Sequence, residues 1–173
     1  PLARALCHNT TMKYFDMDLY LPDENLFGLA DILEQNTTLD DIRVACCEFE
    51  EKEEIVYFRK VVDALKANHT LSRFHNYGAK KVPVPSEIHG AQFYMLERNF
   101  QLGYLVLFKE DDDQAKKKKN MYLELNAQSR KRLFQADAAS KADWMDVLAM
   151  IRDDLDCLFY YLTINPALCK LDE

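Results

Sequence analysis

Seven aromatic and charged side chains recur at two fixed distances from four asparagines. Five residues after an asparagine stand a tyrosine, an aspartate, an arginine and a second tyrosine, and seven residues after stand an aspartate, an arginine and a histidine. The seven residues are Tyr14, Asp16, Asp41, Arg43, Arg73, His75 and Tyr104. The guanidinium group of arginine forms paired hydrogen bonds with carboxylates, and tyrosine offers a rigid apolar ring with a polar hydroxyl. Both residue types are enriched at interface hot spots. The pattern predicts that these residues bind another protein.

Sequence motifs for catalysis do not accompany these residues. The chain has no Gly-rich phosphate loop, no HExxH and no nucleophile elbow, and it contains four glycines in all. Its four histidines lack the spacing of metal ligands; they are His8, His69, His75 and His89. We therefore predict a chain that is not an enzyme, with no catalytic residue, no metal and no cofactor.

The four asparagines are Asn9, Asn36, Asn68 and Asn99, and they lie 27, 32 and 31 residues apart. Before each of the first three, apolar residues at offsets of three, four and seven form one stripe of a short helix, and the fourth keeps those at three and four. After each asparagine the apolar period becomes two, which is typical of a strand with one buried face. A unit of one helix and one strand cannot bury both faces alone, so a repeat at this period indicates stacked units.

The units predict one parallel sheet with the helices in an outer layer. The predicted strands are Met12 to Met17, Leu39 to Val44, Leu71 to Asn76 and Leu102 to Leu107. Parallel strands place equivalent positions about 4.8 Å apart, so the two rows of aromatic and charged residues should form stripes on the concave side. The asparagine suits the corner between helix and strand, where its side chain can bond free backbone groups.

The pattern L-x-x-N-x-T-L-x-x-L-x-L resembles the long leucine-rich repeats of ribonuclease-inhibitor and tropomodulin type. The resemblance covers residues 2 to about 108; in the fourth unit Phe100 and Gln101 replace the threonine pair, and Asn76 stands where a buried aliphatic is expected. It implies an α/β leucine-rich repeat solenoid of about four units over residues 1–108. Cytoskeletal regulators such as tropomodulin use such repeats to bind proteins, and so do effectors of intracellular bacteria. The short repeats and the helical tail of this chain resemble the bacterial effectors somewhat more than the cytoskeletal regulators.

Residues 109–173 predict a helical tail. The block from Glu110 to Asn120 is either an exposed connection or the start of a polar helix, and further helices are expected from Met121 to Asp137 and from Asp143 to Ile164. The last of these has an apolar stripe, for which we predict burial: Trp144, Val147, Leu148, Ile151, Leu155, Leu158, Phe159 and Leu162. The tail is predicted to cap the open end of the last repeat; the alternative is a helical hairpin that docks a partner.

Five cysteines, an odd number without CxxC spacing, favour a reducing compartment. We expect a cytoplasmic protein, in the host cytosol if it is a secreted bacterial effector. Cys157 lies in the apolar tail helix, where burial would raise its thiol pKa and leave it inert.

Net charge −7 disfavours nonspecific binding to nucleic acid or to an anionic membrane surface. No apolar run approaches the length of a membrane-spanning helix. We expect a monomer with no nucleic-acid or membrane partner, acting as a protein–protein interaction module through its concave face. The second hypothesis is that the repeats target an enzyme, such as a ubiquitin ligase, whose catalytic segment is the tail or lies outside this sequence.

Overall fold

Four helix–strand units make up the first part of the computed structural model. The residues that the structure describes are 2–17, 23–45, 51–76, 84–108, 112–127, 130, 133 and 141–165. The units are α1 Leu2–Cys7 with β1 Tyr14–Met17, α2 Asp23–Gln35 with β2 Asp41–Val44, α3 Glu51–Ala67 with β3 Arg73–Asn76, and α4 Ser86–Arg98 with β4 Tyr104–Val106. The strands pair in parallel in the order β1-β2-β3-β4. The predicted α/β repeat solenoid is confirmed.

Each strand begins two residues later than the sequence predicts. Met12, Leu39, Leu71 and Leu102 lie in the corner that follows the helix, and each gives its backbone N–H to the asparagine three residues earlier. Because that N–H is held by a side chain, the leucine or methionine remains outside the strand ladder. The buried leucine side chains still point into the core.

The asparagines also join neighbouring units. Asn36 accepts hydrogen bonds at Oδ1 from the N–H groups of Thr38 and Leu39, both at 2.8 Å. Its Nδ2 donates to the carbonyls of Leu6 at 2.7 Å and Asn9 at 3.0 Å in the preceding unit. Asn68 and Asn99 repeat this arrangement against their own preceding units. We call the set formed by Asn36, Asn68 and Asn99 the asparagine ladder.

The core lies between the sheet and the helix layer. Leu33, Leu65 and Leu96, three residues before successive asparagines, are fully buried. α1 packs on α2 at Gly28, where an added Cβ would lie 2.6 Å from the Cβ of Ala3, so any larger side chain would push the two helices apart. Asn76, polar at an apolar position, is buried and donates to the carbonyl of Leu107 at 3.1 Å.

The first tail helix, α5 Asp113–Ala127, starts inside the charge block rather than at Met121 as predicted. Asp112 accounts for the earlier start, because its Oδ1 accepts the N–H of Gln114 at 2.8 Å. The alternative reading of the block as the start of a polar helix is therefore confirmed over the part that the structure describes.

After β4, α5 continues the hydrogen-bonding pattern of the ladder. Asn126 Nδ2 donates to the carbonyls of Asn99 at 2.8 Å and Leu102 at 2.7 Å. At the other end of the stack, the Thr38 hydroxyl donates to the equivalent carbonyls of the first unit, those of Asn9 and Met12. Arg130 Nη2 donates to the carbonyls of Leu96 and Asn99, the positions that a further ladder asparagine would reach.

The predicted single helix from Asp143 to Ile164 is wrong. Two helices occupy the segment, α6 Lys141–Met150 and α7 Leu155–Ile164, because Asp154 accepts the N–H of Cys157 at 3.0 Å and starts a new helix. Val147 and Ile151 are buried and Trp144, Leu148, Leu158 and Leu162 are partly buried, but Leu155 and Phe159 are 76% and 73% exposed. The predicted burial therefore fails at those last two positions.

The division of the chain at residue 108 stays a prediction. None of the helices in the described ranges is both long and apolar enough to cross a membrane.

Candidate functional site

The strand register brings the aromatic and charged residues into two rows on one face of the sheet. One row is Tyr14, Asp41, Arg73 and Tyr104, and the other is Asp16, Arg43, His75 and Val106. Each member is the direct Cα partner of the next. We call the surface formed by these two rows the sheet face.

On the β1–β2 half of the sheet face the charged groups pair with each other. Arg43 binds Asp41 with two hydrogen bonds, Nη2 to Oδ2 at 3.1 Å and Nε to Oδ1 at 3.3 Å. The Tyr14 hydroxyl donates to Asp16 Oδ2 at 2.6 Å, and this hydrogen bond raises the pKa of Tyr14. The Arg43 guanidinium lies 5.2 Å from the centre of the Tyr14 ring. These contacts fix the orientation of all four side chains.

The β3–β4 half presents one exposed arginine and a contact between two rings. Arg73 is exposed, and its side chain makes no ion pair or hydrogen bond with any other residue in the described ranges. The His75 ring contacts the Tyr104 ring edge-on, with 5.5 Å between centres. Burial lowers the pKa of His75, and the positive charge of Arg43 lowers it further, so the imidazole is neutral at pH 7.

An open groove of about 730 Å³ runs along this half and ends against α5. Its lining includes Asp41, Arg43, Arg73, His75 and Tyr104, and adds Ser72, Gln101, Gly103, Asn126 and Ala127. The repeat pattern in the sequence did not identify these five additional lining residues. Asn126 and Ala127 belong to the tail, which the repeat pattern does not reach, and no local signal marks them.

The seven candidate residues differ in how accessible they are. Tyr14 and Tyr104 are 48% and 43% exposed, Asp16 and Arg73 are also exposed, and Arg43 and His75 are partly buried. Asp41 is buried under Arg43, so its role is to hold that arginine rather than to meet a partner directly. The binding role of the set stays a prediction.

The two cysteines that the structure describes, Cys7 and Cys157, lie in α1 and α7 rather than on the sheet face. Cys157 is buried as predicted, and burial, followed by a hydrogen bond to Asp154, raises its pKa to about 12. A thiol in that state is not nucleophilic at neutral pH. Cys7 and Cys157 are free, and the described residues contain no group of three His, Cys, Asp or Glu side chains that could hold a metal.

Comparison with known proteins relates the chain to solved structures. No family model matches the chain, and no curated protein matches it. Among solved structures, the chain is similar to "Leiomodin-1 Actin-Binding Site 2 (ABS2)", with 22% identity, a TM-score of 0.57, and coverage of 77% of this chain and 75% of that one. That structure is of leucine-rich repeat type, so the match supports a leucine-rich repeat-like fold.

Proposed function

We propose that this chain is a protein–protein interaction module whose sheet face binds the partner. The observation that carries the proposal is the set of exposed groups held in register beside an open groove. Tyr14 and Tyr104 stand at the two edges of the sheet in the same row as Arg73. Tyrosine and arginine on a surface of this kind are the residue types that contribute most to interface affinity.

Rigidity supports the same conclusion. The asparagine ladder fixes the spacing of the strands, and the pairing of Arg43 with Asp41 fixes a long side chain before any partner arrives. Less side-chain entropy is then lost on binding, by about 0.5–1.5 kcal/mol for each side chain already ordered.

Actin is the first partner to test, because the similar structure is described as an actin-binding site of leiomodin-1. Binding without catalysis is part of the proposal: the buried Cys157 argues against a catalytic tail of ubiquitin-ligase type. A cytoplasmic location, monomeric state and effector origin stay predictions from the sequence.

The test compares two triple variants with the same residue types. One replaces Arg43, Arg73 and Tyr104 by alanine on the sheet face. The other replaces Arg59, Arg98 and Tyr94, which are exposed on α3 and α4 in the helix layer. Affinity for actin is measured by titration, and proteins captured from cell lysate are compared in parallel.

The sheet-face variant is expected to lose at least about 2 kcal/mol of binding free energy, close to thirtyfold in Kd. Thermal unfolding checks that the variant is folded, because Arg43→Ala removes the partner of the buried Asp41. The helix-layer variant should bind like the original chain. Unchanged binding by the sheet-face variant, together with loss in the helix-layer variant or in a tail variant, would overturn the proposal.

A further inference from the structure

Helix α7 is apolar on two opposite sides, and the residues that the structure describes cover one of them. Cys157 and Tyr161 are fully buried, and Leu158 packs beside them against the core. On the other side, Leu155, Phe159 and Leu162 are spaced by four and three residues, so they form one stripe along the helix. We call these three residues the tail stripe.

The tail stripe is exposed to an extent unusual for its residue types. Leu155 is 76% and Phe159 is 73% exposed, while Leu162 is partly buried at the edge. A helix that is apolar all round is normally covered on all sides, and a contiguous exposed apolar surface marks an interaction site. On α6, Met145 and Met150 are also more than half exposed, and methionine adapts to varied apolar partners.

Carboxylates lie next to the first residue of the stripe. Asp153, Asp154 and Asp156 stand within two positions of Leu155 in the chain, and we call these three residues the acidic rim. They also line an open groove of about 590 Å³ between α5 and the start of α7, whose lining includes Glu124 but no residue of the tail stripe. Between residues 141 and 165 the chain has five aspartates against Lys141 and Arg152, and Arg152 already lies 3.5 Å from Asp153.

This charge selects among the possible occupants. An anionic membrane surface or a nucleic acid would meet like charge at the rim, and so would a second copy of the same face. A helix with an apolar side flanked by lysine or arginine matches both the stripe and its rim.

We propose that the tail stripe and its acidic rim form a second docking surface, which binds an amphipathic helix with basic flanks from a partner protein. The surface is separate from the sheet face and does not depend on it. The apolar stripe supplies affinity, and the carboxylates favour basic partners over acidic ones.

The probe is a synthetic amphipathic helix of leucine and lysine, and its control is a scrambled peptide of the same composition with no apolar side. Labelled peptide is titrated with the whole chain at physiological ionic strength, and binding is read by fluorescence anisotropy. One variant is Leu155→Ser with Phe159→Ser. A second is Asp153→Asn with Asp156→Asn, and its charge-matched control is Asp31→Asn with Asp63→Asn on exposed positions of α2 and α3.

The amphipathic peptide should bind and the scrambled one should not. The stripe variant is expected to weaken binding about tenfold or more, the rim variant about threefold, and the charge-matched control not at all. Thermal unfolding followed by circular dichroism checks that each variant folds.

Several results would overturn the proposal. They are no binding of the amphipathic peptide, equal binding of the scrambled peptide, unchanged binding by the stripe variant, and self-association of the whole chain that the stripe variant abolishes. Binding of the chain to anionic lipid vesicles through the stripe would also assign the surface to a membrane instead.

Discussion

The repeat units and the tail cover their apolar surfaces in different ways. In the repeats, each helix lies against the next and each corner is closed by an asparagine amide. In the tail, α7 buries one side and leaves Leu155 and Phe159 exposed on the other. Stacking and the asparagine ladder together stabilise the repeats, so the exposed side chains of the sheet face are available for polar recognition. The exposed apolar side of α7 instead suits apolar docking of a partner.

The position of an asparagine in the stack should determine its energetic importance, and this is the largest effect that we predict. Asn68→Ala removes bonds to two N–H groups of its own corner and to the carbonyls of Leu33 and Asn36. Each buried backbone group left without a partner costs about 1–3 kcal/mol. We expect a loss of roughly 3–5 kcal/mol in the free energy of unfolding, measured by urea denaturation.

Asn9→Ala is the matched control, because Asn9 closes an exposed corner and makes no side-chain bond to a preceding unit within the described residues. Its loss should stay near 1 kcal/mol, as for a helix cap. Equal losses at Asn9 and Asn68 would show that joining units is not the main role of the amide.

The tail offers a second contrast, smaller than that in the ladder. Ile151 is buried between the tail helices and the core, so Ile151→Ala should cost about 2–4 kcal/mol in the free energy of unfolding. Leu155→Ala should change it by less than about 0.5 kcal/mol, because the side chain is already in water. Comparable losses by the two variants in chemical denaturation would mean that the exposed side of α7 is covered in the folded monomer.

Much of the repeat fold could be predicted because its signals are local and recur. Leucines at a fixed offset from each asparagine and the change of period from 3.6 to 2 specify helix, corner and strand. The rows of the sheet face followed from the parallel register alone. The bonds between ladder amides and the preceding unit join residues about thirty positions apart, and no local pattern specifies them.

The tail and the pairing on the sheet face could not be predicted in the same way. An apolar period does not say which of two apolar sides of α7 is buried, nor that Asp154 starts a new helix inside the run. Asp41 is the register partner of Arg73, but its carboxylate binds Arg43 of its own strand. The guanidinium of Arg73 therefore stays exposed on the sheet face. Such choices depend on side-chain geometry that spacing does not contain.

The smallest predicted effect is a pH dependence from His75. Its pKa is lowered in the folded chain, so the unfolded chain binds a proton first as the pH falls below the ordinary value near 6.5. Stability should therefore decrease as the pH falls from 7 through 6.5 toward the folded pKa, and above pH 7 this contribution should be constant. His75→Gln should lose less stability over that range in parallel denaturation curves; an identical pH profile would show that His75 does not contribute.

Hydroxyl-radical footprinting of the bound chain tests the central proposal most directly. Tyr14, Tyr104 and Tyr94 are 48%, 43% and 46% exposed, so the three should be oxidised at similar rates in the free chain. Two lie on the sheet face and the third on the helix layer. With actin or another captured partner bound, oxidation of Tyr14 and Tyr104 should fall severalfold while that of Tyr94 stays the same. Protection of Tyr94 with no change at Tyr14 and Tyr104 would contradict binding through the sheet face.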